Sequence, residues 1–316
     1  MRHRTCKGLL TSSYPSSVAV TVKRALCADV SGAASEPLAA TASRVDRWLL
    51  VEYRGLWDRD VLGGSLLSAP LKGHLREQLA RLGHARLLFV KRPERRSHAR
   101  RMLYLGSSRP GEESLYALEF ERHDDLLEYD FAAALLDGGT PGVPVEHPIF
   151  IVCTHGKRDR CCAKYGRPLY DSLKRKIDPA WVWQSTHVGG DRFAGNVVVL
   201  PEGLYYGRVD DDDLDPLLDS YFDGRIHLER YRGRSVHTFA VQAAERALRE
   251  EAGLTGIADV KLERVERRAE GWRVALRADG ALRKVDVEVE LAEDPVYLTC
   301  GSLTPQRPRR YSARVR

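Results

Sequence analysis

The sequence predicts an α/β protein in which helices cover both faces of a mixed sheet, followed by a small α+β appendage. Two observations predict this fold class. Short apolar segments alternate with segments of helical spacing through the central part of the chain, and residues 231–316 combine one helix with strands of alternating polarity. The length of 316 residues suffices for two ordinary domains. The longest apolar runs fall far below the roughly 20 residues that a membrane-crossing helix needs, so we expect no membrane span.

Residues 1–42 carry no sustained hydrophobic period, and we predict a poorly ordered N-terminal segment there. Its first 25 residues contain no acidic residue, which admits a targeting presequence. We favour an unstructured lead-in instead. The two cysteines of this segment, Cys6 and Cys27, receive no role.

The first half of the fold, residues 43–140, has the element order β-α-β-β-β-α. Gly83 follows the first helix at the position where a C′ glycine would end it. The predicted elements are strands at 48–53, 85–90, 102–106 and 115–120 and helices at 71–82 and 126–136.

The second half, residues 145–230, repeats this order after a linker rich in glycine and proline. A β-α-β unit followed by β-β-α is the thioredoxin-type arrangement, so two tandem thioredoxin-like halves are predicted from element order alone. Pro168 is placed in the first turn of the helix. The predicted elements are strands at 149–153, 181–185, 197–200 and 204–209 and helices at 167–177 and 214–222.

The C-terminal appendage, residues 231–316, begins with a helix over 236–251 that Ser235 can cap and that ends before Gly253. Strands at 260–265, 272–277 and 285–291 alternate apolar and polar residues, as a one-faced antiparallel sheet does. Cys300 stands alone in the sequence and is interpreted as a small buried hydrophobic residue.

Two segments of the second half carry the chemistry. Six cysteines are too few for a disulfide scaffold, and three of them lie within ten residues, which indicates metal or redox chemistry in a reducing compartment such as the cytoplasm. Cys153 and Cys162 bracket the loop after the first strand, and His187 and Asp191 bracket Gly189-Gly190 between two later strands. In a thioredoxin-type sheet these loops approach each other. Thiolate and imidazole suit zinc or an iron–sulfur cluster, and two ligands from each loop suit a [2Fe–2S] cluster.

These segments resemble the sucrase/ferredoxin-like family, a branch of the thioredoxin-like [2Fe–2S] ferredoxins. The resemblance is strong over 148–210 and extends over 45–230. It implies a cluster held by a Cys-x₈-Cys pair and a His-x₃-His pair, of which Cys153, Cys162 and His187 match. The matching residues are Cys153 to Gly156, Arg158, Asp159, Cys162, Gly166 to Pro168, His187 to Gly190, Arg192 to Asn196 and Tyr205 to Gly207.

Asp191 departs from the family pattern, which has histidine at this position. Three interpretations remain open: Asp191 itself coordinates iron, since a carboxylate is a hard ligand tolerated by ferric iron; Cys161 or His155 supplies the fourth bond; or the cluster is absent and the loop keeps only its shape. A carboxylate ligand would lower the reduction potential relative to imidazole.

The function expected from this site is one-electron transfer or redox sensing, with a redox protein as partner and no small-molecule substrate. The alternatives are a cluster-free or zinc-binding structural protein, and a thiol–disulfide oxidoreductase that uses Cys161 and Cys162. The net charge of +6 includes a basic run at 91–101 that could dock an acidic protein. No recognition helix or aromatic RNA-binding pattern accompanies this run, so we expect no specific nucleic acid.

Overall fold

One continuous ten-stranded sheet spans most of the chain in the computed structural model, which describes residues 25–136 and 141–316. The elements up to its midpoint are α1 (Cys27–Ala33), β1 (Arg47–Glu52), α2 (Ala69–Leu82), β2 (Ala85–Lys91), β3 (Arg101–Ser107), β4 (Ser114–Phe120), α3 (Phe131–Leu136) and β5 (Val143–Pro144). The second set is β6 (Ile149–Cys153), α4 (Arg160–Lys176), β7 (Val182–Ser185), β8 (Val197–Leu200), β9 (Leu204–Tyr206), α5 (Leu214–Phe222) and β10 (Tyr231–Arg234).

The same strand pairing occurs twice in this sheet. In the first half β1 is parallel to β2 and antiparallel to β3, which pairs with β4. In the second half β6 is parallel to β7 and antiparallel to β8, which pairs with β9. In each half a helix connects the two parallel strands and a hairpin extends the sheet on the other side. The prediction of an α/β protein with two tandem thioredoxin-like halves is therefore confirmed.

The halves join edge to edge, because β2 pairs with β7 in antiparallel orientation and Val90 lies opposite Ser185. Two hydrogen bonds of Thr186 extend this joint: its N–H donates to Phe89 O (2.9 Å), and its Oγ1 accepts from the Phe89 N–H (3.1 Å). A single hydrophobic cluster crosses the joint and contains Trp48, Leu50, Leu88, Tyr104, Ile151, Trp183 and Tyr205. The halves therefore share a core.

The segment before β1 is packed against the second half, in contrast to the prediction for residues 1–42. Cys27 and Ala42 are buried, and the Arg192 side chain donates to the Glu36 carboxylate. The helix in this segment has only seven residues, too few to show a hydrophobic period in the sequence. A helix of this length depends on tertiary contacts for its stability. Residues 1–24, with Cys6, and residues 137–140 of the predicted linker lie outside the described residues.

The C-terminal residues form α6 (Phe239–Ala252) and a four-stranded antiparallel sheet of β11 (Lys261–Arg268), β12 (Gly271–Ala278), β13 (Ala281–Leu291) and β14 (Arg309–Val315). Residues 231–234, predicted within the appendage, belong instead to the large sheet, where β10 pairs with β9. The helix begins three residues later than predicted, since Thr238 rather than Ser235 caps it by accepting from the Val241 N–H.

Among the described residues, no helix combines the length and the apolar character required to cross a membrane.

Candidate metal centre

The first loop of the centre is held between a strand end and a helix start. Cys153 is the last residue of β6, and Cys162 lies in the first turn of α4. This helix begins at Arg160 rather than at 167, because the Asp159 carboxylate caps it by accepting from the Cys161 N–H (2.8 Å). Pro168 consequently lies inside the helix. The early start places Cys162 close to Cys153.

The second loop follows β7 and is fixed through its backbone carbonyls. Val188 O accepts from Ser43 Oγ (3.1 Å), from Tyr205 Oη (3.2 Å) and from the Arg86 guanidinium. Positive φ angles of 103° at Gly189 and 82° at Gly190 let the chain turn sharply before Asp191.

Buried Arg232 of β10 also holds the second loop. Its guanidinium donates to Gly189 O (3.0 Å) and to Asn196 Oδ1 (2.7 Å), while Asn196 Nδ2 donates to Gly190 O (2.9 Å). A Cβ atom at Gly190 would lie 2.3 Å from Arg232 Nη2, so glycine is required there for this contact. Arg232, Ser43 and Arg86 were not identified from the sequence, because each is distant in the chain and no local pattern marks it.

The two loops bring the predicted ligands together. One donor atom each of Cys153, Cys162 and His187 lies within 4.8 Å of the other two. Cys162 Sγ is 3.9 Å from His187 Nδ1 and 3.5 Å from Asp191 Oδ1. Asp191 Oδ1 is in turn 2.9 Å from His187 Nδ1. Cys153, Cys162 and His187 therefore converge on one small volume, and Asp191 borders it through its contacts with Cys162 and His187.

The centre is buried except at its histidine. Cys153 and Cys162 are at most 1% exposed, whereas the His187 side chain is 20% exposed. The contact with Cys162 lowers the pKa of Cys153 well below its usual value and raises the pKa of Cys162. Burial lowers the pKa of His187, but hydrogen bonds with Asp191 and Cys153 outweigh it and raise this pKa to about 9. The arrangement thus favours one thiolate beside one imidazolium.

Comparison with known proteins decides the family. A sequence model of the family described as sucrase/ferredoxin-like matches residues 38–233, which include both halves of the large sheet and both ligand loops. The chain belongs to the sucrase/ferredoxin-like family.

Curated relatives share a shorter region with this sucrase/ferredoxin-like chain. The "Altered inheritance of mitochondria protein 32" of Meyerozyma guilliermondii is 35% identical over 99 residues, which cover 27% of this chain and 34% of that protein. The protein of the same name from Debaryomyces hansenii is 32% identical over 95 residues, or 35% of its length. The matched region thus spans about a third of these relatives.

Solved structures give a low global similarity. A thioredoxin-like [2Fe–2S] ferredoxin from Aquifex aeolicus is 20% identical and superposes with a TM-score of 0.25, covering 28% of this chain and 94% of that one. A cysteine-to-serine variant of that ferredoxin is 22% identical with a TM-score of 0.24 over 27% of this chain and 96% of the other.

Two residues that the sequence offered as fourth ligands in this sucrase/ferredoxin-like site do not join it. Cys161 Sγ lies 3.5 Å from Cys27 Sγ and 3.3 Å from Cys300 Sγ, in a separate group. His155 is not part of the group formed by Cys153, Cys162 and His187, and it packs edge-on against Trp57, with ring centroids 5.9 Å apart. The pairing of Cys161 with Cys162 as a thiol pair also disagrees with the structure, since the two sulfurs have different neighbours.

Proposed function

We propose that Cys153, Cys162, His187 and Asp191 hold a [2Fe–2S] cluster and that the protein transfers single electrons. The observation that carries this proposal is the convergence of two sulfurs and one imidazole from two loops at one end of β6 and β7, with the Asp191 carboxylate in contact with one sulfur and the imidazole. Asp191 is the preferred fourth ligand because its Oδ1 contacts both Cys162 Sγ and His187 Nδ1.

The donor set fits such a group chemically. Thiolates and imidazole are ligands of iron–sulfur clusters, and a carboxylate is tolerated by ferric iron. The lowered pKa of Cys153 favours its thiolate before any ligand is bound. Hydrogen bonds to the carbonyl oxygens of Val188 and Gly190 fix the second loop. His187 and Asp191 are therefore held in place before any metal binds.

When bound, the cluster would supply a one-electron couple whose potential depends on its ligands and their surroundings. The protein's own residues determine access to it. Burial keeps water away from the sulfurs of Cys153 and Cys162. The His187 side chain is 20% exposed and offers the contact through which a partner could exchange electrons.

An acidic redox protein is the partner that we propose. The basic run at 91–101 is only partly neutralised: Arg95 pairs with Glu52 and Arg100 pairs with Glu119. Lys91, Arg92 and Arg96 of this run line a cavity of about 290 Å³ together with Arg167. The same cavity is also lined by Asp171 and by Arg54, which pairs with Glu52. Such a patch attracts an acidic surface and makes association dependent on ionic strength.

The proposal is tested on full-length protein purified without air. We expect a brown protein with about two iron and two sulfide ions per chain and a rhombic paramagnetic signal after reduction by dithionite. Cys162→Ser should lose most of the iron. Cys6→Ser, which removes a cysteine to which no site is assigned, is the matched control and should retain it. Iron-free wild-type protein after reconstitution with iron and sulfide would refute the cluster.

The role of Asp191 is tested separately. Asp191→Ala should lower the iron content, whereas Asp191→His should keep it and raise the reduction potential, because a neutral imidazole replaces an anionic ligand. Potentiometric titration measures this difference. Full iron content and an unchanged potential in Asp191→Ala would show that Asp191 does not coordinate iron.

A second candidate function is dithiol–disulfide exchange by Cys153 and Cys162. Their sulfurs lie within 4.8 Å of each other, and the low pKa of Cys153 favours a nucleophilic thiolate. Colourless, iron-free protein that reduces a model disulfide, and loses this activity in Cys153→Ser, would favour it.

We also propose a reducing compartment, with the cytoplasm as the first choice, because all five cysteines of the described residues are free thiols. The relatives' printed name refers to mitochondria, so localisation of a tagged full-length chain should compare the cytoplasm with that organelle.

A further inference from the structure

A second group of sulfur and oxygen donors lies next to the candidate centre. It consists of Cys27 at the start of α1, Asp159 and Cys161 at the start of α4, and Cys300 in the loop between β13 and β14. One donor atom of each residue lies within 4.8 Å of every other. Three segments that are distant in the chain thus converge on one point.

The three sulfurs form a nearly equilateral triangle. The Sγ–Sγ distances are 3.5 Å for Cys27 and Cys161, 3.3 Å for Cys161 and Cys300, and 3.6 Å for Cys300 and Cys27. Tetrahedral zinc with bonds of about 2.3 Å to sulfur gives edges of about 3.8 Å, close to these values. A disulfide between any two of the cysteines would leave the third without a partner.

Asp159 adds a buried carboxylate to the triangle. It is 3% exposed, and both its oxygens lie 3.9 Å from Cys27 Sγ. Its oxygens accept from the backbone N–H groups of Cys161 (2.8 Å) and Cys300 (2.6 Å). Within residues 25–136 and 141–316, no Lys, Arg or His forms an ion pair with it. A buried carboxylate of this kind is usually paired or bound to a metal ion.

Backbone donors point at the sulfurs as well. The N–H of Cys27 donates to Cys300 Sγ (3.5 Å), and the N–H of Ala28 donates to Cys161 Sγ (3.4 Å). Cys161 also lies in the first turn of the 17-residue helix α4, whose N-terminus favours a negative charge. Such donors stabilise thiolates and orient them as metal ligands.

We propose that Cys27, Cys161, Cys300 and Asp159 bind one Zn²⁺ ion in a closed structural site. Zinc suits this set because it accepts sulfur and oxygen ligands in a tetrahedron, and four protein ligands leave no position for a substrate. The thiol protons pass to solvent on binding, and no electron is transferred. The site is separate from the iron centre, since adjacent residues Cys161 and Cys162 serve different groups.

Zinc at this position would fasten α1 and the loop around Cys300 to the start of α4. The same helix turn carries Cys162. The ion would therefore fix the helix end that supports the iron centre, while taking no part in electron transfer.

The test measures zinc and iron in full-length wild-type protein and in Cys300→Ser, which alters the most exposed cysteine of the group. We expect about one zinc per chain in the wild type and a loss of zinc affinity of more than about 100-fold in Cys300→Ser. Loss of a direct ligand should exceed the roughly 10–100-fold effect of removing a hydrogen-bond partner of a ligand. Cys153→Ser is the matched control: it should keep zinc and lose iron. Replacement of zinc by Co²⁺ should give intense tetrahedral ligand-field and sulfur-to-cobalt absorption.

A chelator titration of the wild type makes the result independent of how the variant folds. Removal of zinc should free the Cys300 thiol, the partly exposed one of the three, to react with a thiol reagent. The proposal is overturned if Cys300→Ser binds zinc as tightly as the wild type, if cobalt gives only an octahedral spectrum, or if native protein contains a disulfide within this group. Wild-type protein that lacks iron but binds one zinc would contradict only the cluster and not the zinc site.

Discussion

At the scale of single residues, the neighbouring cysteines Cys161 and Cys162 have different surroundings. Successive residues of an α-helix point about 100° apart, so adjacency in sequence separates the two sulfurs in space. Cys161 contacts Cys27 and Cys300, whereas Cys162 contacts His187 and Asp191. A pair that looks like one feature in the sequence thus belongs to two separate clusters of side chains.

Another residue, His237, is predicted to make stability depend on pH. Burial, together with Arg234, Arg44 and Arg249, outweighs Glu245 and lowers the pKa of His237 from 6.5 to about 4. The unfolded chain therefore binds a proton near pH 6.5 and the folded chain only near pH 4. This contribution is fully present above pH 6.5 and is lost as the pH falls towards 4, by about 3 kcal/mol at most.

The measurement is the free energy of unfolding in denaturant between pH 7 and 4.5, compared between wild type and His237→Gln. The wild type should lose more stability over this window than the variant. The window stops at 4.5 because the lowered pKa of Glu245 adds a second loss below that value. Parallel curves for the two proteins would contradict the assignment to His237.

At the scale of elements, α4 packs on the end of β6 through a glycine. A Cβ atom at Gly166 would lie 2.0 Å from Cys153 O, closer than any side chain can approach. The helix therefore reaches the strand at the residue that supplies a predicted ligand. Close packing and the position of Cys153 depend on the same contact.

Gly166→Ala should destabilise the protein by about 3 kcal/mol, because the helix must move away from the strand. The matched control is Gly73→Ala in the exposed interior of α2, where nothing lies within 4 Å of the added atom. That change should stabilise by about 0.5–1 kcal/mol through helix propensity. Thermal unfolding measures both, and equal shifts for the two variants would contradict the steric explanation.

At the scale of the whole molecule, the shared core makes the two halves depend on each other. Trp183 of β7 is 1% exposed and packs edge-on against Tyr104 of β3, with ring centroids 5.5 Å apart. This contact crosses the joint between β2 and β7. The halves are repeated in topology but continuous in packing.

We therefore expect a single unfolding transition of the large sheet, and a loss of about 3–5 kcal/mol in Trp183→Ala. Far-ultraviolet circular dichroism and tryptophan fluorescence should report the same midpoint. Trp181→Ala, which alters a more exposed neighbour, should cost less. Two resolved transitions within the large sheet would show that the halves unfold independently.

The sequence predicted the features that depend on local pattern. Element order gave the repeated α/β topology, and the loop positions of Cys153, Cys162, His187 and Asp191 gave their convergence. Contacts between distant segments were missed: Cys27 and Cys300 carry no local signal, and Arg232 reaches the ligand loop only through the fold. The start of α4 was also missed, because its cap depends on Asp159, whereas Pro168 suggested a later start.

The end of β1 corresponds to the end of β6 in the repeated topology, but its last residue is buried Glu52 instead of a cysteine. Its carboxylate accepts from Arg54 (2.9 Å), from Arg95 (3.2 Å) and from the Met102 N–H (2.9 Å). Both oxygens of the Glu52 carboxylate thus accept hydrogen bonds from other residues of the first half. An internal ion-pair network thus occupies this strand end of the first half. That half supports the ligand loop indirectly, through Arg86 of β2, which donates to Val188 O.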